Sequence, residues 1–250
     1  MRAWFFCLIL GLSVPLSAAE APLKEVRLVS AEWAGYTNRD GSGLVWDIMR
    51  LVFEPAGLKV SHRTELYTRG VGLVQRGEAD GWLGSYANEG FEGVINGRVT
   101  YGIDPIVALG LADRPAPSLE GLGQYRLAWV RGYGYQRYLP GVSAYREVER
   151  RTGILEMLDR GRADFYIDAR PDVEEVQAQS PEPDRYRVTP LTGIPLYPGF
   201  ADTEHGHRLA ALYDRRMKAV TADGSLRRLY KRWREPYLID SYRETSNASH

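Results

Sequence analysis

Arg76-Gly77-Glu78-Ala79-Asp80 and Arg160-Gly161-Arg162-Ala163-Asp164 are two copies of one phrase, Arg-Gly-x-Ala-Asp, set 84 positions apart. Helix-spaced apolar residues precede each copy: Val71 and Val74 in one case, Ile154, Leu155 and Leu158 in the other. A short apolar strand follows each, Gly81-Trp82-Leu83 or Phe165-Tyr166-Ile167. Glycine at a helix end supplies the left-handed C-cap that a residue with a Cβ resists. The separation is far beyond solenoid periods. A unit recurring once at that distance predicts two lobes of related build with a cleft between them.

Working outward, strand and helix signals alternate. Val26-Arg27-Leu28-Val29 reads as a strand, and Leu44, Ile48, Leu51 and Val52 recur at helical spacing until Pro55 and Gly57. Residues 58–60 begin a strand, 68–76 a helix and 81–83 a third strand. After the Pro/Gly-rich stretch at 112–123 the alternation restarts, with a strand at 125–130, a helix at 152–160 and a strand at 165–167. Past the loop at 180–184 the remainder reads as helical, and the chain from about Ser241 as a polar, frayed tail. Such alternation implies crossover units and a mainly parallel sheet covered on both faces: an α/β fold.

The first residues are read apart from the fold. Arg2, an apolar run at 3–16 and then Ser17-Ala18-Ala19 form the pattern of a secretory signal, residues 1–19, with cleavage expected before Glu20. Cys7, the sole cysteine, lies inside it without the small residues a lipid-anchor site needs. The mature chain then has no disulfide, no cysteine-bound metal and no thiol nucleophile, and a net charge of −1. That balance gives no reason to expect nucleic acid or an anionic membrane as partner.

Three stretches carry a resemblance. Gly41-Ser42-Gly43-Leu44-Val45-Trp46-Asp47-Ile48, the doubled Gly-x-Ala-Asp phrase, and Asp223-Gly224-Ser225-Leu226 with Lys231-Arg232-Trp233 follow the order found in the bacterial extracellular solute-binding proteins of the amino-acid-binding type, family 3. The resemblance runs from about Lys24 to Trp233. It implies a type II periplasmic-binding-protein fold, with lobe one at 24–107 plus 200–240 and lobe two at 113–194, joined by two strands near 106–111 and 196–201. It also implies a small polar, amino-acid-like or amine-bearing ligand held in the cleft. The protein would be a periplasmic monomer, without cofactor, serving an inner-membrane ABC-type permease. A sensory protein feeding a membrane signalling partner is the alternative, and a dehydratase-like enzyme with Asp168, Glu89 or Glu92 as general acid a further one.

Cleft residues of this fold sit just after strands. In lobe one these are Trp33, Tyr36, Ser85 and Tyr86; in lobe two, Arg131, Tyr133, Tyr135 and Asp168. The aromatics can wall a flat or cationic group or simply pack their lobes. Asp168 matches the family's acceptor for a ligand ammonium, or else forms a structural salt bridge with Arg131 or Arg170. The family's carboxylate-gripping arginine should follow the third strand, yet Ser85-Tyr86-Ala87-Asn88-Glu89-Gly90-Phe91-Glu92 contains two acids and no arginine. Arg69, opening a helix, or Arg98 is the candidate substitute. Glu204-His205-Gly206-His207 with Asp202 reads as a helix start rather than a metal site. Arg131-Gly132-Tyr133-Gly134 lacks the third glycine of a dinucleotide fingerprint, and no nucleophile elbow appears.

Overall fold

The computed structural model describes residues 24–248; the expected signal segment lies outside them. The strands are β1 (Glu25–Ser30), β2 (Lys59–Thr64), β3 (Gly81–Ser85), β4 (Val94–Asn96), β5 (Gly102–Leu111), β6 (Leu127–Val130), β7 (Tyr145–Val148), β8 (Phe165–Ala169) and β9 (Tyr186–Ala201). The helices are α1 (Leu44–Phe53), α2 (Tyr67–Gln75), α3 (Ile154–Asp159), α4 (Arg170–Ala178), α5 (Glu204–Ala222), α6 (Ser225–Trp233) and α7 (Ile239–Ala248).

The strand order is β2-β1-β3-β9-β5-β8-β6-β7, with β4 paired to β9. Two parallel triplets flank an antiparallel pair: β1 runs parallel to β2 and β3, and β6 runs parallel to β7 and β8. In each triplet the first strand is central and the strand after the repeated phrase is inner. Between them β5 and β9 pair from Gly102↔Leu196 to Leu111↔Tyr186, so the long strands belong to both halves of the sheet.

Strand β9 contains the crossing strand expected near 196–201 and extends it back to Tyr186, over a stretch that the sequence did not mark as a strand. Pro190 and Pro195 argue against a strand because proline cannot donate to a ladder. Here the stretch that holds them pairs only with β5, and β3 and β4 join further along, at Tyr197–Ala201. A one-sided strand tolerates proline. The register shift between Ile106 and Val107 falls beside Pro190 and absorbs one residue, Leu191. The polar stretch from about Ser241, expected to fray, continues α7 to Ala248; the helix begins at Ile239, which is 1% exposed and plugs into the main core.

Helix α1 buries Leu44, Val45, Trp46, Ile48, Met49, Val52 and Phe53, the apolar face its periodicity predicts. Asp47 at its start accepts from Trp233 Nε1 at 3.0 Å and Arg232 at 3.1 Å, so two of the stretches singled out in the sequence clasp each other. Gly43, at φ 127°, lies where any Cβ would meet the Tyr36 carbonyl at 2.3 Å.

Candidate functional site

The repeated phrase has one geometry in both halves. Gly77 (φ 72°) and Gly161 (φ 59°) end α2 and α3 in the left-handed conformation. Glu78 N–H bonds Leu73 O at 2.9 Å and Gly77 N–H bonds Val74 O at 3.0 Å. Arg162 to Met157 (2.9 Å) and Gly161 to Leu158 (3.0 Å) repeat this Schellman pattern. Each aspartate then grips the arginine of the neighbouring central strand. Asp80 accepts from Arg27 N, Nε and Nη2 at 2.7, 3.1 and 2.7 Å; Asp164 accepts from Arg126 N, Nε and Nη2 at 2.8, 3.0 and 2.7 Å. The phrase thus turns a helix into a strand and staples that strand to its neighbour. Its consequence for the site is position: β3 and β8 deliver their C-terminal ends to opposite walls of one cavity.

That cavity, partly open to solvent, has a volume of about 60 Å³. Trp33, Tyr67, Tyr86, Tyr133 and Tyr135 form its aromatic lining. Its charged groups are Glu32, Glu89, Asp104, Asp168 and Asp172 against a single base, Arg151. Contacts bridge the cleft beside it. Tyr67 meets Tyr133 edge-on at 5.8 Å, Tyr86 meets Tyr138 at 5.2 Å, and Tyr138 donates its hydroxyl to Ala87 O at 2.8 Å.

Each acid has a distinct environment. Asp168, fully buried, takes Arg151 Nε at 2.9 Å, its neighbour Ala169 N–H at 2.8 Å, the Tyr166 hydroxyl and, at 3.4 Å, the Tyr135 hydroxyl. Arg151 Nη2 also reaches Asp172 at 2.9 Å and Tyr133 at 3.2 Å, making one guanidinium the partner of two carboxylates. Burial, then Asp168, pushes Asp172 up to about 8, against the pull of Arg151. Glu89 accepts from Tyr67 at 2.6 Å, Ser85 at 3.0 Å and Tyr86 N–H at 2.9 Å. Burial nonetheless raises it to about 7 over the opposing pull of those donors.

Asp104 differs from the rest. It sits on β5, 5% exposed, and Tyr86 donates to its Oδ2 at 2.5 Å. Its Oδ1 is buried and has no donor among the described residues. Burial lifts this carboxyl to about 7, opposed by the Tyr86 bond, with Asp168 adding to the lift and Arg151 opposing it. Trp33 Nε1 is likewise buried without an acceptor. An unpaired buried polar group costs about 1–3 kcal/mol, so both are places where a bound molecule gains.

Of the residues expected from sequence, the structure brings Trp33, Tyr86, Tyr133, Tyr135 and Asp168 into the cavity wall. Tyr36 stacks under Trp33, ring centroids 4.1 Å apart, and turns its hydroxyl away to Glu235 at 2.6 Å. Ser85 lies behind the wall holding Glu89. Arg131 points outward to Glu149, and Arg69 to Glu65. Arg98 is exposed and spends its backbone N–H on Asp214. None of these three arginines lines the cavity, and all three are exposed. Neither Arg131 nor Arg170 pairs with Asp168; Arg170 pairs with Glu174. His205 and His207 lie in the first turn of α5 and pair separately, with Asp80 and Asp202. Among the described residues no group of three or more His, Cys, Asp or Glu is set to hold a metal.

Sequence reasoning missed Asp104, Tyr67, Arg151 and Asp172. Asp104 left a readable signal, a lone acid inside the apolar run at 102–111. Arg151 left none, being one of several charges in Arg146-Glu147-Val148-Glu149-Arg150-Arg151.

No protein-family model and no curated protein sequence matches the chain. Solved structures do. An arginine transport-system periplasmic binding protein from Legionella pneumophila aligns with a TM-score of 0.67 at 13% identity, over 85% of this chain and 100% of that one. The ligand-binding core of GluR0 with L-glutamate aligns at 0.65 and 17%, over 86% and 99%. The ancestral amino-acid-binding protein AncCDT-1, a precursor of cyclohexadienyl dehydratase, aligns at 0.63 and 18%, over 84% and 95%. At such identities the likeness speaks for architecture, and the chain therefore has the two-lobed α/β fold of the type II periplasmic binding proteins.

Proposed function

We propose that the protein is a periplasmic solute-binding protein that captures a small, polar, amine-bearing molecule by lobe closure and presents the closed form to an ABC-type importer. The carrying observation is the aromatic and acidic cavity between β3 and β8, bridged by contacts between residues of the two halves of the sheet. Residues 24–107 with 200–240, and 113–194, would move as two bodies about β5 and β9. The similar fold of binding proteins whose ligands are arginine and glutamine supports this reading. So does the expected signal segment, which would send the chain to the periplasm. A sensory role uses the same cleft physics.

A binding role rather than catalysis rests on how Glu89 is held. An acid poised near 7 suits proton transfer, but Tyr67, Ser85 and Tyr86 occupy both its oxygens. Glu92 is exposed and outside the cavity wall. Native mass spectrometry of freshly purified protein should retain a small molecule, and scattering should show a smaller radius of gyration with it than after its removal. A shape unchanged by any ligand, with nothing retained, would sink the proposal. Turnover of a prephenate-like substrate that is lost in Glu89→Gln would replace it with the dehydratase reading.

A further inference from the structure

We propose that the cavity takes an organic cation that carries N–H donors and lacks a carboxylate, a primary amine or a guanidinium compound, with Asp104 Oδ1 as its anchor. The inference rests on the solute-binding reading and narrows its ligand class.

The charges of the wall exclude a ligand carboxylate. Its one guanidinium already bridges Asp168 and Asp172, at 2.9 Å each. Glu32, at the edge, is balanced by Arg39 at 2.8 Å. Asp168 has four donors from the protein, and Glu89 has three. No positive charge is left over. A carboxylate brought in would be desolvated beside acids with no unpaired cation in the wall to meet it, and a desolvated anion needs a cation or several donors. Even with a proton on every acid whose ionisation burial disfavours, the wall reaches neutrality and does not become positive.

The same wall suits a cation. Asp104 Oδ1 is a buried acceptor to which no described residue donates, and it belongs to a side chain that is more than nine-tenths buried and lines the cavity. Aromatic faces of Trp33, Tyr86 and Tyr135 surround the space beside it, where a desolvated cation gains further from their quadrupoles. The unfilled Oδ1 also separates two kinds of cation. A primary ammonium or guanidinium can donate to it; a quaternary ammonium cannot. Trp33 Nε1 offers one N–H to a neutral acceptor such as a hydroxyl.

The test is calorimetric titration of the ligand-stripped, full-length mature protein with matched pairs differing only by the carboxylate: ethanolamine against serine, putrescine against ornithine, agmatine against arginine. Choline is added against ethanolamine. The decarboxylated member of at least one pair is expected to bind at least tenfold more tightly than its amino acid, and ethanolamine more tightly than choline. Asp104→Asn, which keeps the shape and the Tyr86 hydrogen bond, is expected to lower that affinity 30-fold or more while circular dichroism stays unchanged. If Asp104→Asn does not fold, the pair comparison on the unaltered protein decides alone. Tighter binding of the amino acids overturns the inference and leaves the solute-binding reading standing. Choline as the tightest ligand overturns Asp104 as anchor in favour of the aromatic wall. No binding in any pair, with no ligand retained on purification, overturns both.

Discussion

Asp104 and Glu89 are carboxyls that burial holds near 7, whereas in the unfolded chain they titrate near 4. Between those values the native state holds protons that the unfolded state has lost. Stability of the ligand-free protein therefore falls as pH rises from about 4 through about 7, by up to about 1.4 kcal/mol per pH unit per group. The groups facing Asp104 are Tyr86 after β3, Tyr135 after β6, Asp168 on β8 and Arg151 before α3; the Tyr86 hydrogen bond and the Arg151 charge work against the trend, and Asp168 adds to it. Urea midpoints measured at pH 5.5 and 7.5 should drop with pH, and Asp104→Asn should flatten the drop. An unaltered slope in that variant would mean that Asp104 is ionised in the native cavity. The two residues also differ in legibility. Glu89 stood out as an acid where an arginine was expected. Asp104 stood in a strand-like run where only the packing of β8 and the Tyr86 loop makes it a cavity group.

At the scale of elements, the doubled Arg-Gly-x-Ala-Asp phrase predicted both helix ends and both following strands, because a Schellman glycine and an apolar run are local signals. The aspartate's partner was not local: Arg27 and Arg126 lie 53 and 38 residues away in sequence. Removing Asp80 by Asp80→Ala leaves the Arg27 backbone N–H and guanidinium without their acceptor beside a 6%-exposed position, and should cost about 2 kcal/mol. Asp164→Ala breaks the same geometry at a wetter site, 24% exposed, and should cost about 1 kcal/mol. Chemical denaturation of both variants checks the order as well as the size; equal losses would mean that burial is not what separates the two copies. Strand β9 shows the opposite case. Its prolines argue locally against a strand, and only its one-sided pairing explains why they are tolerated.

For the whole molecule, closure is held by few polar contacts. Tyr138→Phe removes the hydroxyl bond to Ala87 across the cleft but keeps the ring against Tyr86. The loss of one such bond, about 0.5–1.5 kcal/mol, should weaken ligand binding roughly three- to tenfold and expand the free protein in scattering. Unchanged affinity and shape would place the closing energy in the aromatic contacts alone. The sequence by itself determined the α/β alternation, the duplicated build, the helix-ending glycines and the aromatics at strand ends, since each depends on neighbours a few residues apart. It also marked the departure from the amino-acid-binding pattern after the third strand. Only the tertiary structure decided that Arg151 bridges Asp168 and Asp172, that Arg69, Arg98 and Arg131 lie outside the cavity wall, and that Asp104 keeps an oxygen without a donor among the described residues. Charge balance in a buried cavity depends on which distant side chains meet there, and sequence spacing carries no record of that meeting.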